Sequence, residues 1–189
     1  KHTEEQIVEY LQPAVNDSII INVQLKNQAE NHFSFLHGSL LGATYCLINE
    51  EEKEQNHYNI GKHLLSSLND HEIEDELFTI ATHYNKGYSK IGVTERLYIA
   101  KLNLRAGKKA KESGAFTPSE SFLSSGVKAV LNSWKDDYAL TYELFKEAAE
   151  VHQLLADYSK MEALLVDAME HAKTELEKDL AAKDESVLR

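Results

Sequence analysis

The sequence predicts a mainly α-helical protein with one small β-hairpin near its N-terminus. Three observations carry that reading. Proline and glycine are scarce, at 2 and 8 of 189 residues. From Leu36 onward, apolar residues recur at three- and four-residue spacing, the period of one helix face. Before that point two short runs, SIIINVQ (18–24) and HFSF (32–35), are β-branched or alternating, with a polar, turn-like LKNQAEN (25–31) between them.

The elements follow in order. TEEQIVEYLQPAVND (3–17) reads as a helix with Thr3 as its cap and Gln6 as the partner of a capping box. Ile7, Val8 and Leu11 form its apolar face, and Pro13 kinks it or ends it early. The two strands come next. Further helices are expected at 38–48, 50–68, 71–85, 94–113, 118–131, 137–156 and 159–180. Asn49 caps the second of these, and Glu50, Glu51 and Glu52 favour its positive end. Ile60, Leu64, Leu65 and Leu68 form its apolar face, Gly87 reads as a C-terminal stop, and Thr94 reads as the next cap. Helix, small hairpin and helix over 1–48 is the pattern of a winged-helix-like module.

Shifting the chain by 42 residues exposes an internal repeat. Ala106 and Gly107 fall on Ala148 and Ala149, and Phe116 falls on Tyr158. Ser119, Leu123 and Gly126 fall on Met161, Leu165 and Ala168. A small pair, an aromatic and three positions spaced by four and three form a helix–turn–helix repeat of tetratricopeptide type. The small pair lets two backbones approach, the aromatic fills the turn, and the last three line the second helix. Gly107 and Gly126 each cost about 1 kcal/mol against alanine inside a helix, which close packing would offset. The offset exceeds the usual period of about 34 residues, and the extra length falls near NSWKDDY (132–138).

Charge and composition exclude several function classes. The net charge of −11 opposes nonspecific binding to phosphate backbones, which needs clustered Lys and Arg. No apolar run approaches the roughly 18 residues of a membrane span, and the N-terminus has no signal-peptide pattern. The chain starts at Lys1 rather than Met, as a piece cut from a longer protein would. The single cysteine, Cys46, lies in the apolar run ATYCLI, which reads as a buried, inert thiol in a reducing, cytoplasmic compartment.

Candidate chemistry is sparse. Gly61-Lys62 and Gly107-Lys108 lack the other residues of a phosphate-binding loop, so no nucleotide loop is expected here. None of the nine His has another four residues away, so no helical metal pair is predicted. Lys101, Arg105, Lys108 and Lys111 form a basic stripe on one helix, with Lys109 beside it. The plainer reading of the stripe is a solvated face, and the functional one is a docking site for an acidic partner or domain. Nucleic acid fits least, because no aromatic interleaves the cations. His37 stands where a strand hands over to a helix, at a helix N-terminus of the kind that attracts anions. A packing or capping role is the plainer alternative.

FSFLHGSLLGATYCLINEEEKEQNHYNIGKHLL (33–65) resembles the segment that follows the nucleotide-binding core in signal-transduction ATPases with numerous domains, the STAND class. The matching features are Phe35, His37, Ala43 with Tyr45, Leu47 and Ile48, Glu50 to Glu52, and Ile60-Gly61. HYNKG (83–87), ERLYIAKLNLRAGKKAKESGAFTPSESFLSSGVKAV (95–130) and WKDDYALTYELFKEAAEVHQLLADYSKMEALL (134–165) resemble the family's helical-repeat region. The family is often fused to protein kinase, GAF and histidine kinase domains. The resemblance implies a winged-helix-like module over 1–48, a tetratricopeptide-like superhelical arm over 49–180 and a polar tail over 181–189. It also implies an upstream domain that binds ATP or ADP with magnesium, whose bound ADP His37 would contact to help hold an off state. The family places Asp directly after this His, where the chain has Gly38, so the carboxylate that would orient the imidazole is missing. Asn49 stands where the family commonly has Pro.

The expected function is therefore a non-catalytic regulatory and protein-interaction segment, without a cofactor of its own, whose partner is a protein or a neighbouring domain. The alternatives are a free-standing helical-repeat adaptor for a protein or small ligand and a winged-helix DNA-binding regulator. GSLLGATYCLI, which would be the recognition helix, has no Lys or Arg, and this counts against DNA.

Overall fold

Capping and periodicity place most of the helices. In the computed structural model, which describes residues 3–23 and 31–173, α1 (Glu4–Asn16) starts at a complete capping box. The Gln6 N–H donates to Thr3 Oγ1 at 3.4 Å, and the Thr3 N–H donates to Gln6 Oε1 at 3.0 Å. The helix runs three residues past Pro13, so the proline does not end it. Strands β1 (Ile20–Val23) and β2 (His32–Phe35) pair antiparallel, with Ile20 opposite Phe35 and Val23 opposite His32. Helix α2 (Gly38–Leu47) follows. The LKNQAEN turn and the polar tail lie outside the described residues, except for Asn31.

The chain divides into two units, residues 1–52 and 53–189, and the division falls in the first turn of α3 (Glu50–Ser67). In the first unit, α1 packs on β1 and α2 packs on β2. Ile20 is the one buried apolar side chain among its described residues.

The second unit holds the larger core. It contains α3 beyond its first turn, α4 (Asp70–Asp75), α5 (Leu77–Lys86), a 3₁₀ turn (Tyr88–Lys90), α6 (Val93–Glu112), α7 (Phe116–Val130), α8 (Tyr138–Leu154) and α9 (Tyr158–His171). The Glu52 N–H donates to Asn49 Oδ1 at 2.9 Å, so Asn49 caps α3. The helix expected at 71–85 is two helices, because Glu76 leaves helical geometry at φ −95° and ψ 12°. Helix α6 (Val93–Glu112) is capped by Gly92 and not by Thr94. The Gly92 N–H donates to the Glu95 carboxylate at 3.2 Å, and the Glu95 N–H returns to the Gly92 carbonyl at 3.0 Å.

Consecutive helices pack on one another: α5 on α6, α6 on α7, α7 on α8 and α8 on α9. Leu77, Ile80 and Tyr84 of α5 meet Ile99, Leu102 and Ala106 of α6, with Leu64, Leu65 and Leu68 of α3 at the margin. Leu123, Val127 and Val130 of α7 meet Leu144, Phe145 and Val151 of α8. Each such apolar side chain contributes roughly 1.5–3 kcal/mol by leaving water. Gly87 is the C-cap of α5, yet its φ of −97° is ordinary. Its need is space, because a Cβ there would lie 2.6 Å from the backbone nitrogen of Tyr58.

The hairpins α6–α7 and α8–α9 are joined by the same turn. In the first, the Ala115 N–H donates to the Ala110 carbonyl at 2.9 Å, and Gly114 N–H donates to Lys111 at 2.9 Å. In the second, Asp157 N–H donates to His152 at 2.9 Å, and Ala156 N–H donates to Gln153 at 3.0 Å. Each bond falls on its counterpart at the 42-residue offset. So do the left-handed residues of the two turns, Gly114 at φ +76° and Ala156 at φ +58°. The bond from C″ to C3 together with a left-handed C′ residue closes a helix end on its last free carbonyls. Between the hairpins, residues 131–137 are not a plain surface loop. Trp134 is buried, with its ring centroid 5.0 Å from Phe145 and 4.4 Å from His171.

Candidate functional site

His37 is the N-cap residue of α2, in extended geometry at φ −132° and ψ 138°. Strand β2 ends two residues earlier, so the strand-to-helix handover lies where the sequence puts it. The His37 carbonyl accepts from Leu40 N–H at 3.0 Å, while its side chain makes no capping bond. The imidazole is exposed, and the first turn of α2 carries no acidic residue.

The helix behind His37 is unusual in its exposure. None of its residues is buried, although its composition is largely apolar. Leu41, Tyr45 and Leu47 are exposed, Leu47 at 85%. Cys46 is exposed as well, against the expectation of a buried thiol. The apolar run ATYCLI reads as core, yet the first unit gives α2 too little to pack against.

The basic stripe of α6 meets carboxylates of its own chain. Lys101 Nζ lies 3.3 Å from Asp137, and Arg105 pairs with Glu74. Lys108 reaches Glu143 at 2.7 Å and Glu147 at 3.8 Å. Lys111 reaches Glu147 at 2.5 Å and also holds Glu150. The acidic complement of the stripe is thus largely α8, whose Glu143, Glu147 and Glu150 recur at helical spacing. The hydrogen bond to Glu143 holds the Lys108 pKa above the ordinary lysine value. Burial opposes the charge on Lys111, but the bonds to Glu147 and Glu150 outweigh it, and its pKa is also raised.

Two small residues of the repeat, Gly107 and Gly126, sit at close approaches. Ala106, Gly107, Leu123, Gly126, Ala148, Ala149, Leu165 and Ala168 are all buried. A Cβ on Gly107 would lie 2.6 Å from Leu123 Cδ2 and nearer still to its Cγ. A Cβ on Gly126 would lie 2.6 Å from Leu144 Cδ2. Ser119 donates to the Gly107 carbonyl at 2.7 Å, so the close approach also carries a buried polar bond. The turn aromatics differ in use: Phe116 is half-buried, whereas Tyr158 is 49% exposed.

Three features have no local sequence signal. His57 of α3 and His83 of α5 touch through their Nδ1 atoms at 2.9 Å. Burial and then nearby positive charge, Lys86 for His57 and His57 with Lys86 for His83, push both pKa values below the usual histidine value. Asn85 and Asn103 exchange side-chain bonds at 2.8 and 2.9 Å, satisfying the fully buried Asn103. His152 is buried at 3% exposure, between Glu120 at 3.8 Å and Asp157 at 3.7 Å. Among the described residues, no group of three or more His, Cys, Asp or Glu side chains is placed to hold a metal ion. No helix among them is long and apolar enough to cross a membrane.

The sequence matches no family model, and no solved structure matches it. It is similar to a part of hybrid signal transduction histidine kinase G of Dictyostelium discoideum. The two are 24% identical over 167 residues, which cover 75% of this chain and 5% of that protein. The chain therefore spans only a small part of the length of the relative it matches. The likeness connects the chain with signal transduction.

Proposed function

We propose that the chain is a non-catalytic regulatory and protein-interaction segment of a multidomain signal-transduction ATPase, working in the cytoplasm. The first unit is read as a winged-helix-like module and the second as a tetratricopeptide-like arm. The observation that carries this reading is the pair of hairpins whose turn bonds and left-handed residues coincide at a 42-residue offset. Helical hairpins stacked by a repeated turn form a continuous arm, in which each hairpin packs on its neighbour. Such an arm presents surface to a partner and passes a displacement at one end to the other. The likeness to a signal-transduction histidine kinase supports the setting.

In this reading ATP or ADP with magnesium belongs to an upstream domain, and the exposed His37 at the start of α2 is the residue that meets it. The uncovered apolar side chains of α2 face the same neighbour. The test has two parts. Purified chain is incubated with ATP and magnesium, and no phosphate release is expected; measurable turnover would overturn the non-catalytic reading. In the full-length protein, His37→Ala is expected to weaken ADP retention, and unchanged retention would remove His37 from nucleotide sensing.

A further inference from the structure

The cations of α6 are not all engaged alike. Lys101, Arg105, Lys108 and Lys111 pair with carboxylates, and Lys109 donates to the Glu74 carbonyl at 3.0 Å. Arg96, in the first turns of the same helix, has no oxygen partner among the described residues. Its guanidinium lies over the ring of Tyr88, 5.9 Å from the centroid. Lys128 of α7 lies over the same ring at 4.3 Å and likewise forms no ion pair among the described residues. The Tyr88 hydroxyl donates to the Lys128 carbonyl at 3.3 Å, which fixes the ring between α6 and the end of α7.

Two like charges held on one ring repel each other, and the chain has no shortage of acids, with 31 Asp and Glu against 20 Lys and Arg. The cations border a cleft of about 440 Å³ between the start of α6 and the end of α7. Its apolar wall includes Val93 at 76% exposure and Leu131 at 53%. Thr94, Asn132 and Ser133 add hydrogen-bonding groups, and Asp136 is the one carboxylate in the lining.

We propose that this cleft docks a peptide segment of a protein partner that carries an aliphatic side chain beside a carboxylate. The aliphatic group covers Val93 and Leu131, and the carboxylate takes the place of the absent acid at Arg96 and Lys128. Bonds from cationic donors to a carboxylate are the strong class of hydrogen bond, and the aromatic beneath holds the donors in place. Asp136 disfavours a run of acids, so one carboxylate among apolar residues is the preferred pattern. This deepens the interaction reading above and rests on it for the class of partner.

The probe is an acetylated, amidated Gly-Ser-Leu-Glu-Leu-Ser-Gly peptide, titrated into the ¹⁵N-labelled 189-residue chain and followed by amide shifts. Saturable shifts at Thr94, Arg96, Lys128, Asn132 and Ser133 are expected. Replacing the peptide's Glu by Gln, or combining Arg96→Gln with Lys128→Gln, is expected to weaken binding about tenfold, the loss of one charge-assisted bond. The peptide-side change keeps the test decisive even if the double variant folds poorly. No saturable shift up to millimolar peptide, equal binding of the Gln peptide, or shifts spread over other surfaces would overturn the proposal. So would shifts of these amides on raising protein concentration alone, which would assign the cleft to a second copy of the chain. ATP turnover by the chain would sink the non-catalytic reading and leave this result standing, so the two fail separately.

Discussion

In the α6–α7 hairpin the helices close on glycine. Gly107 leaves room for Leu123, and Gly126 leaves room for Leu144 of the next helix. In the α8–α9 hairpin the same positions hold Ala149 and Ala168, and Leu165 still packs beside Ala149. The turns repeat the contrast in side chain without changing the backbone. Gly114 adopts a left-handed φ freely, and Ala156 adopts nearly the same φ at a cost of roughly 1–2 kcal/mol. The two hairpins therefore share a backbone pattern of bonds while distributing strain and space differently. One puts its glycine where the turn and the packing ask for it, and the other meets both demands with alanine.

The largest expected effects probe the packing difference. Leu123→Ala should cost about 2–5 kcal/mol in denaturant unfolding, and Gly107→Ala should cost about 1–3 kcal/mol by overpacking despite its better helix propensity. Combined, they should cost clearly less than their sum, because the new methyl enters the space that the leucine vacates. Additive costs would show that Gly107 is not there to admit Leu123. The matching pair in the second hairpin, Leu165→Ala with Ala149→Gly, removes volume twice and should show no such relief.

Next in size is the charged seam between the hairpins. Glu147 is buried at 7% exposure and is held by Lys111 and Lys108. Lys111→Met should lose about 1–3 kcal/mol, because a buried carboxylate is left with its desolvation cost less well met. Unchanged stability would place the seam with exposed pairs, whose worth is near zero. Exchanging the turn residues is smaller again. Gly114→Ala should cost about 1 kcal/mol, while Ala156→Gly should be neutral or stabilising by less than about 1 kcal/mol. Equal losses for both would break the equivalence of the two turns.

The smallest expected effect comes from the helix pair upstream, α3 with α5, which is joined through α4 and stitched by His57 and His83. Both pKa values are lowered in the folded chain, so the unfolded chain takes up protons first as pH falls. Stability is then full above the ordinary histidine value of 6.5 and declines as pH drops from there toward the lowered values. His83→Gln should flatten that slope in unfolding measured between pH 7.5 and 5. An unchanged slope would assign the pH dependence to other groups.

Much of the mainly helical architecture was legible because capping and periodicity are local. Thr3 with Gln6, and Asn49 with Glu52, specify their helix starts within four residues. The small pair and the four-and-three spacing fall on buried residues, whereas of the two aromatics Phe116 is half-buried and Tyr158 is exposed. What local reading missed depends on distant residues. Cys46 sits in a sequence that resembles core, and only the fold reveals that α2 lacks cover. The basic stripe looks solvated until α8, some 35 residues on, supplies its carboxylates. The His57–His83 contact joins positions 26 apart, and Ala156 gives no glycine to announce its left-handed turn. The break at Glu76 is not legible because the 71–85 periodicity runs through it, and Thr94 offers as good a local cap signal as Gly92.

The single tryptophan gives the molecule a further property. Trp134 lies at the joint between α7 and α8, with the His171 ring parallel to it at an interplanar angle of 1°. Its emission is thus expected to serve as an intrinsic optical gauge of that joint, changing if the end of α9 leaves the stacked position. A bend of the chain at this point would be reported by its own chromophore, without a label.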